Sequence, residues 1–381
     1  GPGAIGIGAA QVVAIPINSD YRMGLNHLRR ELEKALQERR PVIEVVGVAG
    51  TTEEGAVDPM HELVALRREF AGRGLGFSLH CDAAYGGYLA ACFRSPQGDF
   101  RSQEEMQGEY GGWPATEVYK SYAALKDVDS ITVDPHKLGF VPYPAGAIVF
   151  RDGRVKELVA QEASYALGGR TSQPHEVNIG KYILEGSKPG AAAAATFLSH
   201  RVVPLDQNGY GKILGQTLRI ARTFHDRLQQ FARTIREEFV LQPLFLPDTN
   251  MLDYTFNLVG NDRLDLMNRF TQAIYQELSI DPASPVQTRR FIVSHTEFAY
   301  EQYNPQVVGA FLEGKLGIRA SYFVSAAELS RRRKTGTPGF DDAVIIFRST
   351  MMNLFTLEKA RREKDYIDLF LESLPPLLRK A

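Results

Sequence analysis

A histidine and a lysine stand side by side where two apolar runs of the sequence meet. The segment SITVDPHKLGFVPYPAGAIVF, residues 130–150, places Lys137 directly after His136. A lysine at the end of a buried strand can extend its charge to solvent or lie on the surface. Alternatively, desolvation can hold its amine close to neutrality, so that it attacks a carbonyl carbon. In that case Lys137 would anchor an imine-forming cofactor.

Such a cofactor needs further groups around it. Pyridoxal phosphate acts as an electron sink only while its ring nitrogen is protonated, which requires a facing carboxylate. Asp82, in HCDAAYGG, is the candidate, and its alternative role is to cap a turn or a helix. Ala84 would leave room for a flat ring, and Ser187 in EGSKPG would offer a hydroxyl near a helix start, where free N–H groups bind phosphate.

The elements that would position these residues alternate along the chain. Amphipathic spacing predicts three helices and β-branched or apolar runs predict three strands, in the order helix 24–40, strand 41–48, helix 58–71, strand 76–82, helix 115–127 and strand 130–134. A long polar loop is expected at 94–113, and the run PVIEVVGV is typical of a strand buried on both faces. This order predicts an α/β fold with a mostly parallel sheet.

Polar residues follow each of the three strands. In parallel sheets ligands collect at the carboxyl ends of the strands. The residues at those ends are Thr51 and Thr52, then Asp82, then Asp134 to Lys137. We therefore include Thr51 with Asp82 and Lys137 among the candidate cofactor-binding residues.

The second half of the sequence changes character. EGSKPGAAAAATFLSHRVV predicts a helix rich in small residues, with Ser187 near its N-cap and Pro189 just inside it. Another helix is predicted at 212–237, and from 238 onward the runs FVLQPLF, LDYTFNLV, RRFIVSH and DAVIIFRSTMM alternate with helical stretches at 263–278 and 357–379. We expect a large domain over 1–237 and a small α+β domain over 238–381.

Bulk composition limits the classes of partner. The 381 residues are 44% hydrophobic, with 44 Lys and Arg against 45 Asp and Glu, so the net charge of −1 gives no electrostatic reason to expect nucleic acid or an anionic membrane. Cys81 and Cys92 form neither a disulfide framework nor a metal-ligand spacing, which favours a reducing compartment. No apolar run reaches the ~18 residues of a membrane span, and the N-terminus has no secretory pattern. We expect a cytoplasmic protein without a bound metal.

Two segments carry a resemblance to a known family. HCDAAYGGY and SITVDPHKLGFVPY resemble the signatures of the pyridoxal-phosphate-dependent group II amino acid decarboxylases. Within that family, GTTEEGAVDP, DPHKLGFVPYPAG and YILEGSKPGAAAAA are most similar to bacterial tyrosine decarboxylases. The resemblance implies a fold-type-I, aspartate-aminotransferase-like homodimer with active sites at the subunit interface, which decarboxylates an aromatic, tyrosine-like amino acid.

The resemblance also implies a role for several residues. Lys137 would hold the cofactor as a Schiff base, with His136 beside it, near the cofactor phosphate or the substrate carboxylate. Asp82 would pair with the ring nitrogen, and Ala84 would pack against the ring. Ser187 would reach the phosphate of the neighbouring subunit's cofactor. Tyr143, in the loop after the lysine, would protonate the substrate carbon.

This sequence departs from the family in two respects. Asp134 stands where many group II decarboxylases have an asparagine, three residues before the lysine. The ring-stacking histidine and the main phosphate loop of the family lie upstream of every motif matched here, so the chain is expected to start after them.

Alternatives to a decarboxylase remain open. Another fold-type-I carbon–carbon lyase or a desulfurase would use the same lysine and aspartate, because the fold does not fix the reaction. A truncated chain with an incomplete, inactive cofactor site is a second alternative. His80 and His295 are expected to be structural, and Ser349 and Thr350 to belong to an ordinary strand of the small domain.

Overall fold

The computed structural model describes residues 8–160, 181–183, 185, 188–280, 285–299, 303, 305–319, 331, 343–359 and 364–381. These residues form nine α-helices and eight strands. The helices are α1 Leu25–Gln37, α2 Met60–Gly72, α3 Gln103–Glu109, α4 Thr116–Ala124, α5 Ala191–Val202, α6 Tyr210–Ile235, α7 Leu264–Leu278, α8 Pro305–Phe311 and α9 Tyr366–Lys380. The strands are β1 Glu44–Val48, β2 Ser78–Asp82, β3 Ser130–Val133, β4 Ala147–Phe150, β5 Phe239–Pro243, β6 Met251–Leu258, β7 Ser294–Ala299 and β8 Ala343–Thr350.

The first sheet has the order β1, β2, β3, β4. The pairs β1 with β2 and β2 with β3 are parallel, and β4 runs antiparallel to β3. The helices between the strands provide the crossovers that parallel pairing requires. The mostly parallel sheet predicted from the alternating pattern is therefore present.

Helices cover one face of this sheet. Leu79 and Cys81 of β2 are fully buried there, in one apolar core with side chains of α1, α2 and α4. The other face is more open, and Val46 of β1 is 43% exposed on it. The expectation that PVIEVVGV is buried on both faces is therefore wrong for β1, because these helices pack against one side of the strand.

Two local predictions for residues 1–237 were wrong. The expected polar loop at 94–113 contains α3, because Ser102 and Glu105 form a capping box that satisfies the first N–H groups of a helix. The alanine-rich helix α5 begins at Ala191 with Gly190 as its N-cap, so Pro189 precedes the helix rather than lying inside it. Ser187 itself lies outside the described residues.

The second sheet is entirely antiparallel. Its order is β5, β6, β8, β7. Side chains of α6, α7 and α9 share an apolar core with β6, whereas α8 contributes to a second core. The strand expected at RRFIVSH begins later, at Ser294, because Phe291 and Val293 pack with the helical core instead.

Some apolar surface on β4 and α5 is exposed. All four residues of β4 are exposed, and α5 buries none of its side chains. The exposed apolar residues of these elements are Ile148, Val149, Phe150, Phe197, Leu198 and Val202. Among the described helices, none combines the length and the hydropathy that a bilayer crossing needs.

Candidate active site

Three strands of the first sheet bring the candidate residues together at their carboxyl ends. Val48 lies opposite Asp82 in the parallel register of β1 and β2, and Asp82 lies opposite Thr132 in that of β2 and β3. The backbone N–H of Asp134 donates to the carbonyl oxygen of Ala84 at 3.1 Å. The Asp82 segment and the segment that leads to Lys137 are thus joined directly.

Asp82 is half-buried at the end of β2. One carboxylate oxygen accepts the backbone N–H of Ala84 at 3.1 Å. Among the described residues the carboxylate has no other hydrogen-bond partner, so its second oxygen is available. Ala84, one residue beyond the buried Ala83, contributes only a methyl group beside this carboxylate. A protonated ring nitrogen is the kind of partner that such a carboxylate fits.

Lys137 lies in a tight turn after β3. Two backbone hydrogen bonds of 3.0 Å close the turn. The N–H of Lys137 donates to the carbonyl oxygen of Asp134, and the N–H of Val141 donates to that of Pro135. The Lys137 Nζ atom lies 3.0 Å from Oδ2 of Asp134, and this pair is only partly exposed. The carboxylate of Asp134 therefore orients the amine of Lys137.

The rings of His136 and Tyr143 are in contact beside that pair, tilted by 35° to each other. Their ring centroids are 3.9 Å apart. Nδ1 of His136 donates to the carbonyl oxygen of Ala145, and its Nε2 lies 3.6 Å from Oδ2 of Asp134. Tyr143 is 74% exposed, so its phenol reaches the open side of the site.

Thr51 follows β1 in a loop that holds its hydroxyl. The Thr51 Oγ1 atom donates to Glu54 at 2.8 Å and accepts the backbone N–H of Ala56 at 3.0 Å. The single hydroxyl proton of Thr51 is thus committed within its own loop, and a ligand could use only its remaining acceptor capacity.

The same loop docks on the second sheet. Arg348 of β8 donates to the carbonyl oxygen of Thr52 at 2.7 Å and to Glu53 at 3.0 Å. Gly55 has a positive φ of 68°, and a Cβ atom there would lie 2.4 Å from Oγ1 of Thr249. At this glycine the loop therefore fits closely against Thr249 and Met251, at the start of β6.

A buried carboxyl group lies near the docked loop. Asp253 of β6 is 3% exposed, and neither of its oxygens has a hydrogen-bond partner within the described part of the chain. Burial, and after it the charge of Glu54, raises the pKa of Asp253 well above its ordinary value. The pKa of Tyr303, whose phenol hydrogen-bonds to Glu54, is also raised, chiefly by burial. Sequence patterns gave no sign of this cluster, because its members come from distant segments.

A second buried acid joins three segments. Asp248 accepts two hydrogen bonds of 2.8 Å from Nη2 of Arg22 and one of 3.1 Å from its Nε atom. It also accepts the backbone N–H of Val57 at 3.1 Å. The pKa of Asp248 is raised by burial, which outweighs the opposing effect of the Arg22 guanidinium.

The histidines outside the turn have local partners. His80 bonds through Nδ1 to Ser130 at 2.7 Å and through Nε2 to Thr132 at 3.0 Å. The ring of His295 lies 4.3 Å from that of Tyr275. These contacts agree with structural roles, and no cluster of His, Cys, Asp and Glu suited to a metal occurs among the described residues.

Ser349 and Thr350 of β8 line a cavity, and none of its lining residues belongs to the Lys137 turn. Ser349 bonds to the phenol of Tyr254 at 3.2 Å. This cavity has a volume of about 300 Å³, and Arg290 and Phe291 also line it.

Cys81 and Cys92 are both buried. Because burial disfavours the thiolate, the pKa of each thiol is raised, to about 12 for Cys81.

Comparisons with known proteins identify the class to which this fold and site correspond. Residues 4–102 match the pyridoxal-dependent decarboxylase conserved domain. The structure resembles mouse CSAD in apo form with a TM-score of 0.63 at 15% identity, over 99% of this chain and 60% of that chain. The latter similarity shows a fold shared with that solved structure.

More specific matches indicate a subgroup. Residues 220–335 match the C-terminal domain of tyrosine decarboxylase. The chain is 40% identical over 319 residues to an L-tyrosine decarboxylase of Levilactobacillus brevis, covering 81% of this chain and 50% of the relative. It is 34% identical over 366 residues to that of Enterococcus faecium, covering 93% and 58%. The resemblance to pyridoxal-phosphate-dependent decarboxylases of the tyrosine decarboxylase type is thus confirmed, and the chain spans about half the length of these relatives.

Proposed function

We propose that this chain carries the catalytic lysine of a pyridoxal-phosphate-dependent decarboxylase that converts an aromatic amino acid, tyrosine or one like it, to its amine and carbon dioxide. The observation that carries the proposal is the meeting of Asp82 and the Lys137 turn at the ends of β2 and β3. The printed names of the relatives support the substrate class.

The residues present fit the cofactor. Asp82 offers an unoccupied carboxylate oxygen at a strand end, Lys137 offers an amine oriented by Asp134, and Ala84 presents a methyl group beside them. When bound, pyridoxal phosphate supplies the electron sink for the bond that breaks in decarboxylation. Asp82 would keep a proton on the ring nitrogen, and Lys137 would be the point of covalent attachment. Thr51 and Ser187 complete the proposed set of cofactor-binding residues.

Two side chains near the lysine would orient the substrate or cofactor and donate a proton. We assign His136 to the substrate carboxylate or the cofactor phosphate, because its Nε2 atom points toward the Asp134 and Lys137 pair. We assign Tyr143 as the acid that protonates the substrate carbon. Its phenol is exposed, and its ring is held against His136. A general acid of this kind must come within hydrogen-bond reach of the carbon that it protonates.

The whole enzyme is proposed to be a cytoplasmic homodimer with its active sites at the subunit interface. The exposed apolar side chains of β4 and α5 support a covered surface in the assembly, because apolar groups clustered at a protein surface mark interaction sites. We also propose that residues 1–237 and 238–381 are its large and small domains. Each has its own sheet, although α6 packs with the second core.

Covalent trapping tests the cofactor assignment. The protein is incubated with pyridoxal phosphate, reduced with borohydride and digested, and the modified peptide is identified by mass. We expect the label on Lys137 and none in Lys137→Ala. Lys120→Ala is the matched control, since Lys120 lies on the surface of α4 and pairs with Glu117. Labelling spread over surface lysines, with Lys137 unmodified, would contradict the assignment.

Carbon dioxide release tests the reaction. Amino acids of different side-chain classes are supplied to the cofactor-loaded protein, and release of carbon dioxide and amine is measured. We expect tyrosine to react faster than aspartate or glutamate. Cofactor attachment without release from any amino acid would leave Lys137 as the anchor but refute the decarboxylase assignment.

A further inference from the structure

The turn that carries Lys137 packs on a buried tyrosine through a glycine. A Cβ atom added to Gly139 would lie 2.5 Å from Cζ of Tyr88 and 2.6 Å from the carbonyl oxygen of Pro135. Neither atom can move away easily, because Tyr88 is buried and Pro135 belongs to the turn itself. The absence of a side chain at this position allows the turn to sit where it does.

A second tyrosine holds the same glycine by a hydrogen bond. Tyr210, the first residue of α6, is 2% exposed, and its hydroxyl donates to the carbonyl oxygen of Gly139 at 2.7 Å. Ser199 of α5 lies 2.7 Å from the same phenolic oxygen. Since Tyr210 has one hydroxyl proton and gives it to Gly139, Ser199 must be the donor in the second bond. A directed chain of hydrogen bonds thus runs from α5 to the turn.

A second contact joins α5 to Tyr88, the tyrosine on which Gly139 packs. The Tyr88 hydroxyl lies 2.8 Å from Nε2 of His200, the residue after Ser199, and the rings of Tyr88 and Tyr210 are 5.1 Å apart. Burial lowers the pKa of His200, so its neutral ring can accept a hydrogen bond from the Tyr88 hydroxyl. Through Ser199 and His200, α5 thus contacts the two tyrosines that pack on the turn or bond to it.

We propose that Tyr210 is a positioning residue for Lys137. Its hydroxyl fixes the carbonyl oxygen of Gly139, two residues after the lysine, and thereby keeps the Lys137 amine at the carboxyl ends of β2 and β3. The chain through Ser199 makes that position depend on α5. This inference rests on the proposed role of Lys137 as the cofactor anchor. It adds Tyr210, which lies 73 positions after Lys137 in the sequence, to the residues on which capture of the cofactor depends.

The first test uses the protein without cofactor. Tyr210→Phe keeps the buried ring and removes only the hydroxyl. Amide hydrogen exchange is followed in the peptide containing residues 135–141, whose Lys137, Phe140 and Val141 amides close the turn. We expect exchange there to be about tenfold faster than in the wild type, with other segments unchanged. Tyr119→Phe is the matched control, since Tyr119 donates to the carbonyl oxygen of Arg101 at 2.9 Å, outside the turn.

The second test measures the capture of pyridoxal phosphate by borohydride trapping at increasing cofactor concentrations. In Tyr210→Phe we expect the capture rate at saturation to fall at least tenfold, because small displacements of a reacting group cost large factors in rate. The half-saturating concentration should stay within about twofold, because Tyr210 contacts the turn and not the ligand. Tyr119→Phe should match the wild type in both quantities.

The outcomes separate this inference from the proposed function. Suppose that the wild type captures the cofactor and that Tyr210→Phe shows the same amide exchange and the same capture rate as the wild type. The inference would then be overturned and the proposed function would stand. If the wild type captures no cofactor at Lys137, the proposed function fails. Unchanged amide exchange in Tyr210→Phe would then still show that Tyr210 does not restrain the turn. If Tyr210→Phe does not fold, Ser199→Ala decides, since it removes the donor to the Tyr210 oxygen from a half-buried position. It must show the same two changes to a smaller degree, and wild-type behaviour would overturn the inference.

Discussion

Arg22→Met should destabilise the protein strongly, because it leaves the buried Asp248 carboxylate without its cation. Methionine keeps most of the apolar stem and removes the guanidinium that bonds Asp248 at 2.8 to 3.1 Å. Breaking a buried pair by removing one partner costs roughly 3–5 kcal/mol. The backbone bond from Val57 remains but cannot balance a full charge. We therefore expect a loss of about 3–5 kcal/mol in the free energy of unfolding at pH 7.

The loss should depend on pH in a defined direction. Without the guanidinium, the pKa of the buried Asp248 should rise further than burial already raises it. A raised folded-state pKa destabilises the fold as pH increases above the unfolded-state value, so the variant should lose more stability at pH 8 than at pH 5.

Urea unfolding of Arg22→Met at both pH values measures this effect. Arg29→Met is the control, because Arg29 pairs with Glu69 in an exposed position, where the loss of an ion pair has little effect on stability. Adding Asp248→Asn to Arg22→Met should recover part of the loss by removing the unpaired charge. A loss below about 1 kcal/mol for Arg22→Met at pH 7, or one that does not change with pH, would refute the reasoning.

Three further predictions concern other parts of the chain. Asp253→Asn should gain stability relative to the wild type as pH rises from about 5 to 8, because only in the wild type does the unfolded chain release a proton that the buried carboxyl, with its raised pKa, retains; urea unfolding with equal differences at both ends would contradict this. Gly55→Ala should cost about 2–4 kcal/mol, combining left-handed strain with overpacking. Gly74→Ala, which has a positive φ but open space around it, should cost only about 1 kcal/mol in the same assay. Tyr143→Phe should retain cofactor attachment at Lys137 and lose amine formation, and an unchanged rate of decarboxylation would remove Tyr143 from the mechanism.

The parallel core of the fold could be predicted from the sequence because its strands and crossover helices have distinct periodicities. The runs that end at Asp82 and Asp134 are short, apolar and followed by polar residues, and register then places their ends side by side. α3 was missed although its signal was present, since Ser102 and Glu105 have the spacing of a capping box. The start of β7 was misplaced because the apolar run before Ser294 is buried by helices and not by the sheet.

The contacts that support the site could not be predicted in the same way. Arg348 reaches Glu53 across 295 positions, and Tyr210 reaches Gly139 across 71. No local periodicity encodes such pairs, because each partner alone is an ordinary surface charge or core aromatic residue. The Lys137 and Asp134 pair is an exception, since its spacing of three residues made proximity plausible from the sequence. Its ionic character, however, became evident only from the geometry of the turn.

The alternation of side chains along β2 determines where the chain can change in length. Cys81 points into the apolar core, and Asp82 lies at the strand-end site. Deletion of one residue within β2 would exchange these environments, burying a carboxylate among the helices and presenting a thiol where the acid is needed. In the turn between α2 and β2, Gly74 and Gly76 have open space around them. Insertions and deletions should therefore be tolerated in that turn and excluded from the strand only a few residues away.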